Sequence, residues 1–588
     1  MSKSDTPLHN IDTSSINKDL RETKFLNDDD TEIVAMDFET SDGDPFMLAI
    51  DQKDADPFVL QSRNPPIKTD WIMDHVASSR YNGNTIVVWY NIGFDAEIIF
   101  RGLSEQQVTE LYYENQTEYI HREGERDERE LTIRYIPGKK LVFRDEYGNS
   151  IEHYDVGNIA RGGLDSAADQ WLGESKADES VDTSKFGDMD YVRDHWNEIE
   201  EYAKIDAELT RRVADQVYSM AEEQGIPCRK PVSTGSISQQ WMAEHLDKKV
   251  GYRPTRVQRY AWESYAGGRF EVFERGDIGR VAGPDINSAY PAVMSNLPDP
   301  HTVDWKHRYD DVSISDLREA DWGFARIEVS TDADRRIQPF AKKIDDTVQY
   351  PAFDSETTTT LIDTIIHAYD QGIITDIEIK SAIMGFEAEY TRFPFSFLDD
   401  TYTERKRKES NGEYLAGKTL KTVLNSSYGK TVQSTNKRRL TDQVDHDELD
   451  QYEDTNMIDP FTWVIERQEA GSFFNPFLAS YITGMTRLEL HKKVLEYGLE
   501  SDTIMFATDC IMVREQPFID SGFEAAECGD DDTLDQLGEW DFDYRGDAFV
   551  VGSGVYEVDT DESGLKQATR GFNEAKIHSM ELEGKWVG

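Results

Sequence analysis

The stretch KTVLNSSYGK, residues 421–430, places a cation, an amide and an aromatic ring on one face of a predicted helix. Lys421, Asn425 and Tyr428 recur at positions i, i+4 and i+7, so their side chains point the same way. A lysine neutralises phosphate oxygens, a tyrosine stacks on a base, and Gly429 lets another backbone come close. A solvated helix face is the ordinary alternative. The pattern favours an anionic ligand here.

Cations are scarce in the rest of the chain. The 588 residues include 63 basic and 115 acidic side chains, which give a formal net charge of −52. At about 1 M salt the Debye length is about 3 Å, so the self-repulsion of such a chain is largely screened. This composition predicts a halophilic source. Net charge governs solubility and long-range steering rather than local sites, so it does not exclude nucleic acid as a partner.

The length predicts a multidomain enzyme, because single hydrophobic cores stop growing at roughly 250–300 residues. Three widely separated cysteines, Cys228, Cys510 and Cys528, form no CxxC pair and indicate a reduced, intracellular setting. No apolar run reaches the roughly 18 residues of a membrane span, and no hydrophobic segment typical of a signal peptide follows Met1. We expect a cytoplasmic protein without a membrane partner.

The hydrophobic periodicity predicts a mixed α/β chain. TEIVAMDFET and NTIVVWY are typical of strands, LTIRYI and KKLVFRD of further strands, and residues 190–224 of one long helix. EEQGIPCRKP marks a boundary. A second α/β unit starts at 231, a basic helical stretch covers 397–432, and DTIMFATDCIMV is typical of a hairpin of two buried strands.

Carboxylates from three separate segments predict a first metal site. Asp37 and Glu39 share one face of a strand, which alone is as typical of a solvated edge. Asp206, however, is the single charge within the apolar stripe of the long helix, and such a carboxylate is costly to bury without a cation. Asp95 follows a buried strand, and Tyr202 lies one turn before Asp206. This set could hold two divalent metal ions and cut phosphodiesters, with Tyr202 orienting the attacking water.

Two further carboxylates predict a second metal site. Asp285 ends a strand, where a helix-capping role is the alternative, and Asp509 lies between two apolar runs, where a hairpin-turn role is the alternative. If the two strands are neighbours, both acids meet. Two carboxylates holding two Mg²⁺ ions could activate a hydroxyl and clamp a triphosphate for in-line phosphoryl transfer.

Six short segments resemble the motifs of a known family. DFET, NIGFD and YAKID resemble the three exonuclease motifs of proofreading DNA polymerases, in the family's order. DINSAYP, KTVLNSSYG and ATDCIMV resemble the three polymerase motifs of family B DNA polymerases. The resemblance covers about residues 31–575.

The resemblance implies roles for individual residues. Asp37, Glu39, Asp95 and Asp206 would bind the metal ions of the exonuclease. Tyr202 would be the phenol that orients the water, and Lys176 would be a further exonuclease lysine. Asp285 and Asp509 would bind the polymerase metals, Mg²⁺ or Mn²⁺, with two ions in each active site. Tyr290 would be the gate that excludes a 2′-hydroxyl, and Lys566 would touch the primer. The nucleotide site would also include Ser288, Arg405, Arg407, Lys421, Asn425 and Tyr428.

The segment SYAGGRFEVF resembles the Y-x-G-G segment of protein-primed members, in which Tyr265, Gly267 and Gly268 would contact DNA. Gly429 of KTVLNSSYG would also contact DNA. The long intervals after Asp285 and after Gly429 resemble the two insertions of that subfamily, which bind a terminal protein. An ordinary turn and plain loops are the alternative.

The expected fold is α/β and multidomain, with a ribonuclease H-like exonuclease domain and a right-hand polymerase. The predicted parts are a disordered N-terminus (1–30), the exonuclease domain (31–230), palm with a first insertion (231–396), fingers (397–432), palm with a second insertion and the hairpin (433–570), and a reduced thumb or tail (571–588). Two departures stand out: Ala507 replaces the first acid of the ATDCIMV motif, and Ala289 replaces a leucine.

These observations predict a DNA-directed DNA polymerase with a proofreading 3′–5′ exonuclease. The subfamily resemblance implies protein priming, in which a terminal protein supplies the first hydroxyl. Its expected partners are a DNA primer-template, dNTPs and that terminal protein. Ala507 and the short C-terminal part leave an exonuclease with a decayed polymerase half as one alternative. A non-catalytic protein that binds DNA ends is the other.

Overall fold

The structure is a computed structural model of the chain. It describes residues 8, 11–13, 31–81, 83–123, 127–174, 181–246, 250, 255–344, 347–441, 454–459, 462–528, 536–561 and 564–569. The predicted reduced thumb (571–588), Lys176 and most of the predicted disordered N-terminus lie outside these residues. Within them, no helix is both long enough and apolar enough to cross a membrane.

An eight-stranded sheet forms the first unit, in the order β3-β2-β1-β4-β8-β7-β6-β5. Its strands are β1 (Glu32–Ser41), β2 (Asp44–Gln52), β3 (Phe58–Gln61), β4 (Thr85–Trp89), β5 (Gln116–Glu123), β6 (Asp127–Ile136), β7 (Lys140–Asp145) and β8 (Ser150–Asp155). Its helices are α1 (Thr69–Val76), α2 (Ile92–Phe100), α3 (Glu105–Glu114), α4 (Gly157–Ala160), α5 (Leu164–Leu172), α6 (Met189–Asp194) and α7 (Trp196–Glu223).

The central strands of this sheet are parallel and buried. β1 pairs with β4 in parallel, with Val34 opposite Val87, and β4 pairs in parallel with β8. Helix α7 packs across β1 and β2 and buries the stripe predicted from its sequence. The prediction of one helix over residues 190–224 was wrong in one respect. His195 has a non-helical backbone (φ −111°, ψ 25°), so α6 ends before α7 begins.

The second half of the chain contains ten helices and sixteen strands in its described residues. The helices are α8 (Thr234–His245), α9 (Arg256–Ser264), α10 (Ala289–Ser295), α11 (Ile314–Leu317), α12 (Ile362–Asp370), α13 (Phe397–Ser410), α14 (Tyr414–Ser427), α15 (Pro476–Glu496), α16 (Glu515–Ser521) and α17 (Phe523–Glu527). The strands are β9 (Arg269–Val272), β10 (Gly276–Ile286), β11 (Asp304–Arg308), β12 (Trp322–Thr331), β13 (Lys342–Ile344), β14 (Thr347–Gln349), β15 (Glu356–Leu361), β16 (Ile374–Phe386), β17 (Ser434–Thr441), β18 (Asp454–Asp459), β19 (Thr462–Ala470), β20 (Thr503–Thr508), β21 (Cys510–Arg514), β22 (Trp540–Gly552), β23 (Val555–Thr560) and β24 (Gly564–Thr569).

A seven-stranded sheet carries the second predicted metal site, in the order β24-β23-β22-β10-β21-β20-β9. The hairpin predicted from DTIMFATDCIMV is confirmed as β20 and β21, and it pairs antiparallel with β10. A four-stranded sheet (β11-β16-β12-β15), the β13–β14 hairpin and a three-stranded sheet (β17-β19-β18) occupy the intervals that resemble insertions. Helices α13 and α14 pack against each other, and α14 packs on α8.

The predicted disorder of residues 1–30 was wrong for one short segment. Ile11 is buried in an apolar cluster with Trp262 and Phe474. The backbone amide of Asp12 donates to Gln468 O at 2.8 Å, so this segment pairs with the C-terminal end of β19. A single buried isoleucine is too weak a signal to predict an ordered segment in a polar stretch.

The core of the first sheet predicts loss of stability in acid. His153 is buried, accepts from Trp89 Nε1 at 3.0 Å through Nδ1, and places Nε2 at 2.9 Å from Val76 O. Burial lowers the pKa of His153 to about 3. A depressed histidine pKa stabilises the fold above the unfolded-state pKa, and this contribution is lost as pH falls toward the folded-state value. At pH 5 the free energy of unfolding should fall by about 2 kcal/mol from this group alone.

Denaturant unfolding at pH 7 and pH 5 measures this effect. His153→Gln should be less stable at pH 7 but should lose less stability between the two values than the parent does. His301→Gln, at an exposed histidine, is the matched control. Equal pH dependence in the parent and in His153→Gln would contradict the prediction.

Candidate active sites

Carboxylates from β1 and α7 meet at the first predicted metal site. Asp37 and Glu39 lie two residues apart on β1, and α7 crosses this strand so that Asp206 faces them. One ligand oxygen from each of the three lies within 4.8 Å of the others. Glu39 and Asp206 are buried, and Asp37 is half-buried. Hard divalent cations prefer such oxygen ligands, so the donor set fits Mg²⁺ or Mn²⁺.

The fourth predicted acid, Asp95, lies on α2. Asn91 precedes this helix with a left-handed backbone (φ 71°), and the turn directs Asp95 toward Asp37. Burial, and then the charge of Asp37, raise the pKa of Asp95 well above its usual range, while the Phe38 amide opposes the shift. Asp95 Oδ1 is buried and has no hydrogen-bond partner among the described residues. A divalent cation would satisfy this oxygen and offset the repulsion.

Tyr202 lies one turn before Asp206 on the same face of α7. Burial, and then the charges of Asp206 and Glu39, raise the pKa of Tyr202. The phenol therefore keeps its proton at neutral pH and can donate a hydrogen bond to a water or a phosphate oxygen beside the acids.

Asp155, at the end of β8, was missed in the sequence. Its Oδ1 accepts the Asn91 amide at 3.2 Å and the Gly157 amide at 2.8 Å, which holds the turn into α2. Burial raises the pKa of Asp155, and these amides oppose the shift. An acid at the end of a strand, as in EHYD (152–155), was a usable signal for a site residue, although an acidic chain offers many such residues.

The second predicted metal site forms between β10 and β21. Asp285 lies opposite Cys510, the residue next to Asp509, so the predicted meeting of these two acids is confirmed. Burial, and then the charge of Asp543, raise the pKa of Asp285 to about 7; Asp509 and Asp541 add to the shift. Burial raises the pKa of Asp509 to about 6. Acids that repel one another in this way fit a site for divalent cations.

Two acids of this second site were missed in the sequence. Asp541 lies directly opposite Asp285 across β10 and β22, and Asp543 lies two residues further on the same strand. Their strand period in WDFDY was a usable signal, but the pairing of β22 with β10 was not predictable from the pattern. Lys566 Nζ forms an ion pair with Asp543, so this predicted primer contact lies at the metal site.

Ala507 takes a different environment from the acid that it replaces in the motif. It lies on β20 opposite Cys510 and packs against an apolar cluster that includes Met505 and Met512. Thr508, the next residue, has a left-handed backbone (φ 67°) and leads into Asp509. The turn of the hairpin therefore presents Asp509, and the neighbouring acids come from β10 and β22.

Three tyrosines from distant segments meet beside these acids. The ring of Tyr290 lies 4.4 Å from the ring of Tyr428, measured between centroids, and the hydroxyls of Tyr428 and Tyr265 are 3.0 Å apart. Burial raises the pKa of each tyrosine. The structure thus brings together the predicted sugar gate, the predicted base-stacking ring and the Y-x-G-G tyrosine.

The remaining predicted nucleotide residues fall into two groups. Lys421 on α14 is close enough to Asp509 for its charge to lower the pKa of that acid, and Asn425 is exposed one turn further on. Ser288 begins α10 with a left-handed backbone (φ 48°), and its buried hydroxyl has no partner among the described residues. Gly429 follows Tyr428, with open space where a Cβ would be. Arg405 and Arg407 do not join this group.

Both arginines form ion pairs within α13. Arg405 is buried and its Nε lies 2.9 Å from Glu409 Oε1. Arg407 is exposed and its Nη2 lies 2.6 Å from Glu404 Oε1. Their predicted roles in nucleotide binding stay predictions, since a nucleotide would have to compete with these carboxylates.

Gly268 provides a test of the tyrosine cluster. A Cβ at this position would lie 2.5 Å from Tyr290 Oη, and the backbone of Gly268, unlike that of Gly267 (φ 70°), is not left-handed. Gly268→Ala should therefore fold but displace Tyr290, and it should lower kcat/KM for incoming nucleotide by about ten- to a hundredfold. Steady-state primer extension measures this. Gly552→Ala, which places its methyl group in open space, is the control. Equal effects of both substitutions would contradict the prediction.

The class of the protein follows from its sites and from its sequence relatives. The sequence model of the family described as DNA polymerase type B, organellar and viral, matches residues 174–466, a segment that begins after α5 and ends within β19 of the three-stranded sheet. Over this segment the chain is similar to type B DNA polymerases. The resemblance predicted from the motifs is confirmed.

One curated relative and several solved structures are similar to the chain. The DNA-directed DNA polymerase of Enterobacteria phage PRD1 is 24% identical over 317 residues, which are 52% of this chain and 51% of that protein. The chain thus spans about half the length of the curated relative that it matches.

Crystal forms of phi29 DNA polymerase have the same fold. The orthorhombic form matches with a TM-score of 0.63 at 14% identity, and the match covers 94% of both chains. The complex with primer-template DNA matches with a TM-score of 0.62 at 13% identity and covers 93% of this chain and 94% of that one. At such identities the likeness concerns the fold alone. The predicted fold class is confirmed, and the predicted domain boundaries stay predictions.

Proposed function

We propose that this protein is a DNA-directed DNA polymerase with a 3′–5′ exonuclease. The observation that carries the proposal is the meeting of Asp285 and Asp509 across β10 and β21, within reach of the charge of Lys421. Two acids and a cation on different elements suit a triphosphate with its metal ions. The separate group of Asp37, Glu39 and Asp206 supports the exonuclease.

In the polymerase site, Asp285 and Asp509 would hold two divalent cations. Such ions lower the pKa of an attacking hydroxyl and neutralise a triphosphate. Lys421 approaches from α14 and adds charge on the side of the leaving phosphates. Tyr290 and Tyr428 form a wall of two packed rings on which the sugar and base of the nucleotide would lie. Asp541 and Asp543 keep the local potential negative and favour retention of the cations.

In the exonuclease site, Asp37, Glu39, Asp95 and Asp206 would hold the divalent cations, which supply a hydroxide-like nucleophile when bound. Tyr202 keeps its proton and can donate to the attacking water or to the scissile phosphate. Asp155 holds the turn that aims Asp95 at this site.

Primer extension tests the proposed polymerase. The purified protein in molar KCl with Mg²⁺, a labelled primer-template and four dNTPs should lengthen the primer, and omission of dNTPs should lead to shortening. Replacing Mg²⁺ with Mn²⁺ tests the choice of ion, and EDTA should stop both reactions. If the protein neither lengthens nor shortens the primer with Mg²⁺ or with Mn²⁺, the alternative of a non-catalytic protein that binds DNA ends is favoured.

An exonuclease with a decayed polymerase half is the second candidate. Ala507 on β20 and the ion pair that occupies Lys566 favour it, because one motif acid is missing and the predicted primer contact is engaged. Shortening without lengthening, at high dNTP concentration and with both metals, would support this candidate over the polymerase.

Priming by a terminal protein is the finer part of the proposal. The Tyr265 hydroxyl reaches Tyr428, and the four-stranded and three-stranded sheets fill the two intervals that resemble terminal-protein insertions. Labelled dNTP incubated with the polymerase and the replication proteins of its source should become linked to a protein, in an alkali-labile bond when the acceptor is serine. A halophilic source and a cytoplasmic location stay predictions from composition.

A further inference from the structure

A narrow cleft of about 40 Å³ lies between the first unit and helix α14, away from both acidic sites. Helices α4, α5 and α7 form one wall, and α8 and α14 form the other. Its apolar lining includes Trp171, Val217 and Ile237, and its polar lining includes hydroxyls of Thr234, Thr419 and Thr422. The Thr419 and Thr422 hydroxyls donate to carbonyl oxygens within α14, and the narrow space leaves room for a ligand only at the mouth of the cleft.

Two cations stand at this cleft without a carboxylate. Arg161 follows α4 and Lys418 lies on α14, and both line the cleft. Neither has an ion-pair partner among the residues that the structure describes. In contrast, the nearby Arg212 and Lys408 pair with Glu174 at 2.6 Å and Glu413 at 2.8 Å. An acidic chain that leaves these two cations unpaired gains from an anion between them.

The two cations are close enough to repel each other. Burial, and then the charge of Arg161, lower the pKa of Lys418. The ammonium of Lys418 lies 5.8 Å from the centre of the Trp171 ring, which gives it an aromatic neighbour but no counter-charge. An anion between these two like charges, which come from separate elements beside the cleft, would offset their repulsion.

The backbone at Arg161 is strained. Its φ of 67° and ψ of 152° are unusual for an L residue, and Tyr90 Oη fixes the turn by donating to Gly162 O at 2.8 Å. Strained conformations that the surroundings hold in place cluster at functional sites. Here the strained turn fixes the backbone of Arg161, the residue that carries the guanidinium.

We propose that the mouth of this cleft binds a phosphate group between Arg161 and Lys418, with the attached sugar and base outside it. The phosphate belongs either to a single-stranded nucleic acid or to a free nucleotide. Arginine forms two parallel hydrogen bonds to phosphate, and lysine adds a point charge. Because the cations come from the first unit and from α14, the bound ligand would join these two elements. The site goes beyond the two proposed active sites and shares no residue with them.

Binding in EDTA tests this inference independently of catalysis. Two probes are titrated into the parent: a labelled single strand of about 12 nucleotides, followed by anisotropy, and deoxyadenosine monophosphate, followed by calorimetry. The variants are Arg161→Gln, Lys418→Gln and the double variant. Arg308→Gln is the matched control, since it removes one charge from an exposed arginine that pairs with Asp316. Lys418→Arg preserves the charge.

Each outcome decides the question. The double variant should bind at least one of the two probes about fivefold or more weakly than the parent does. Arg308→Gln should bind both probes as the parent does, and Lys418→Arg should keep the binding that Lys418→Gln loses. Weakened binding of the strand alone identifies nucleic acid as the source of the phosphate, and weakened binding of the monophosphate alone identifies a free nucleotide. Unchanged binding of both probes overturns the inference. Arg161 is exposed, so Arg161→Gln should fold and keeps the test decisive if the double variant does not.

Discussion

Asp285→Asn is expected to reduce primer extension by about a thousandfold while leaving exonuclease activity on single strands intact. The substitution keeps the size of the side chain but removes the charge that would hold a cation between β10 and β21. Asp285 lies among Asp509, Asp541 and Asp543, and it is the acid that β10 contributes to this group. Initial rates of extension and of digestion, measured on the same preparation, give the two numbers.

Stability gives this variant a second signature. Burial and the neighbouring acids raise the folded-state pKa of Asp285 to about 7, so its ionised form disfavours the folded state. For a raised carboxyl pKa, the stabilising effect is present at low pH and is lost as pH rises through the folded-state value. Without metal at pH 8, the free energy of unfolding of Asp285→Asn should therefore exceed that of the parent by roughly 1–3 kcal/mol. This difference should vanish near pH 4. Loss of both activities together with lower stability would count against two independent sites.

Asp206→Asn is expected to have the reverse effect on the two activities. Digestion of single strands should fall by about a thousandfold, since one of three clustered acids loses its charge. Primer extension should persist and should run further past a mismatched end, because removal of the mismatched nucleotide is lost. The measurement is the fraction of a 3′-mismatched primer that is shortened before it is extended.

The control for this variant lies on the same helix. Glu201→Gln removes an equal charge from the exposed side of α7, where Glu201 pairs with Lys204 at 2.9 Å. It should leave digestion within about twofold of the parent, as expected for a surface ion pair. If Glu201→Gln and Asp206→Asn slowed digestion equally, the clustered acids would not be the metal site.

Local patterns predicted the acids that lie on regular elements. Asp37 and Glu39 were recognisable because a strand repeats every two residues, and Asp206 because it interrupts an apolar helical stripe. Both signals depend on neighbours within a few residues. The break at His195 depends on one backbone conformation, which the apolar periodicity of α6 and α7 does not register.

Several contacts between distant segments could not be predicted from the sequence. Asp541 reaches the second site only because β22 pairs with β10 in one register, and a shift of one residue would turn it to the other face. The hydrogen bond between Tyr265 and Tyr428 joins residues 163 positions apart. Arg405 and Arg407 were predicted from charge alone, although the carboxylates three and four residues away on α13 were a usable local signal for their ion pairs.

The burial of Ile11 against Trp262 and Phe474 brings residues far apart in the chain into one apolar cluster. Trp262 also stacks on Tyr265, with ring centroids 5.8 Å apart, and Tyr265 bonds to Tyr428. Through Trp262 and Tyr265, the N-terminal segment therefore braces the tyrosines beside the second acidic site from a distant part of the chain.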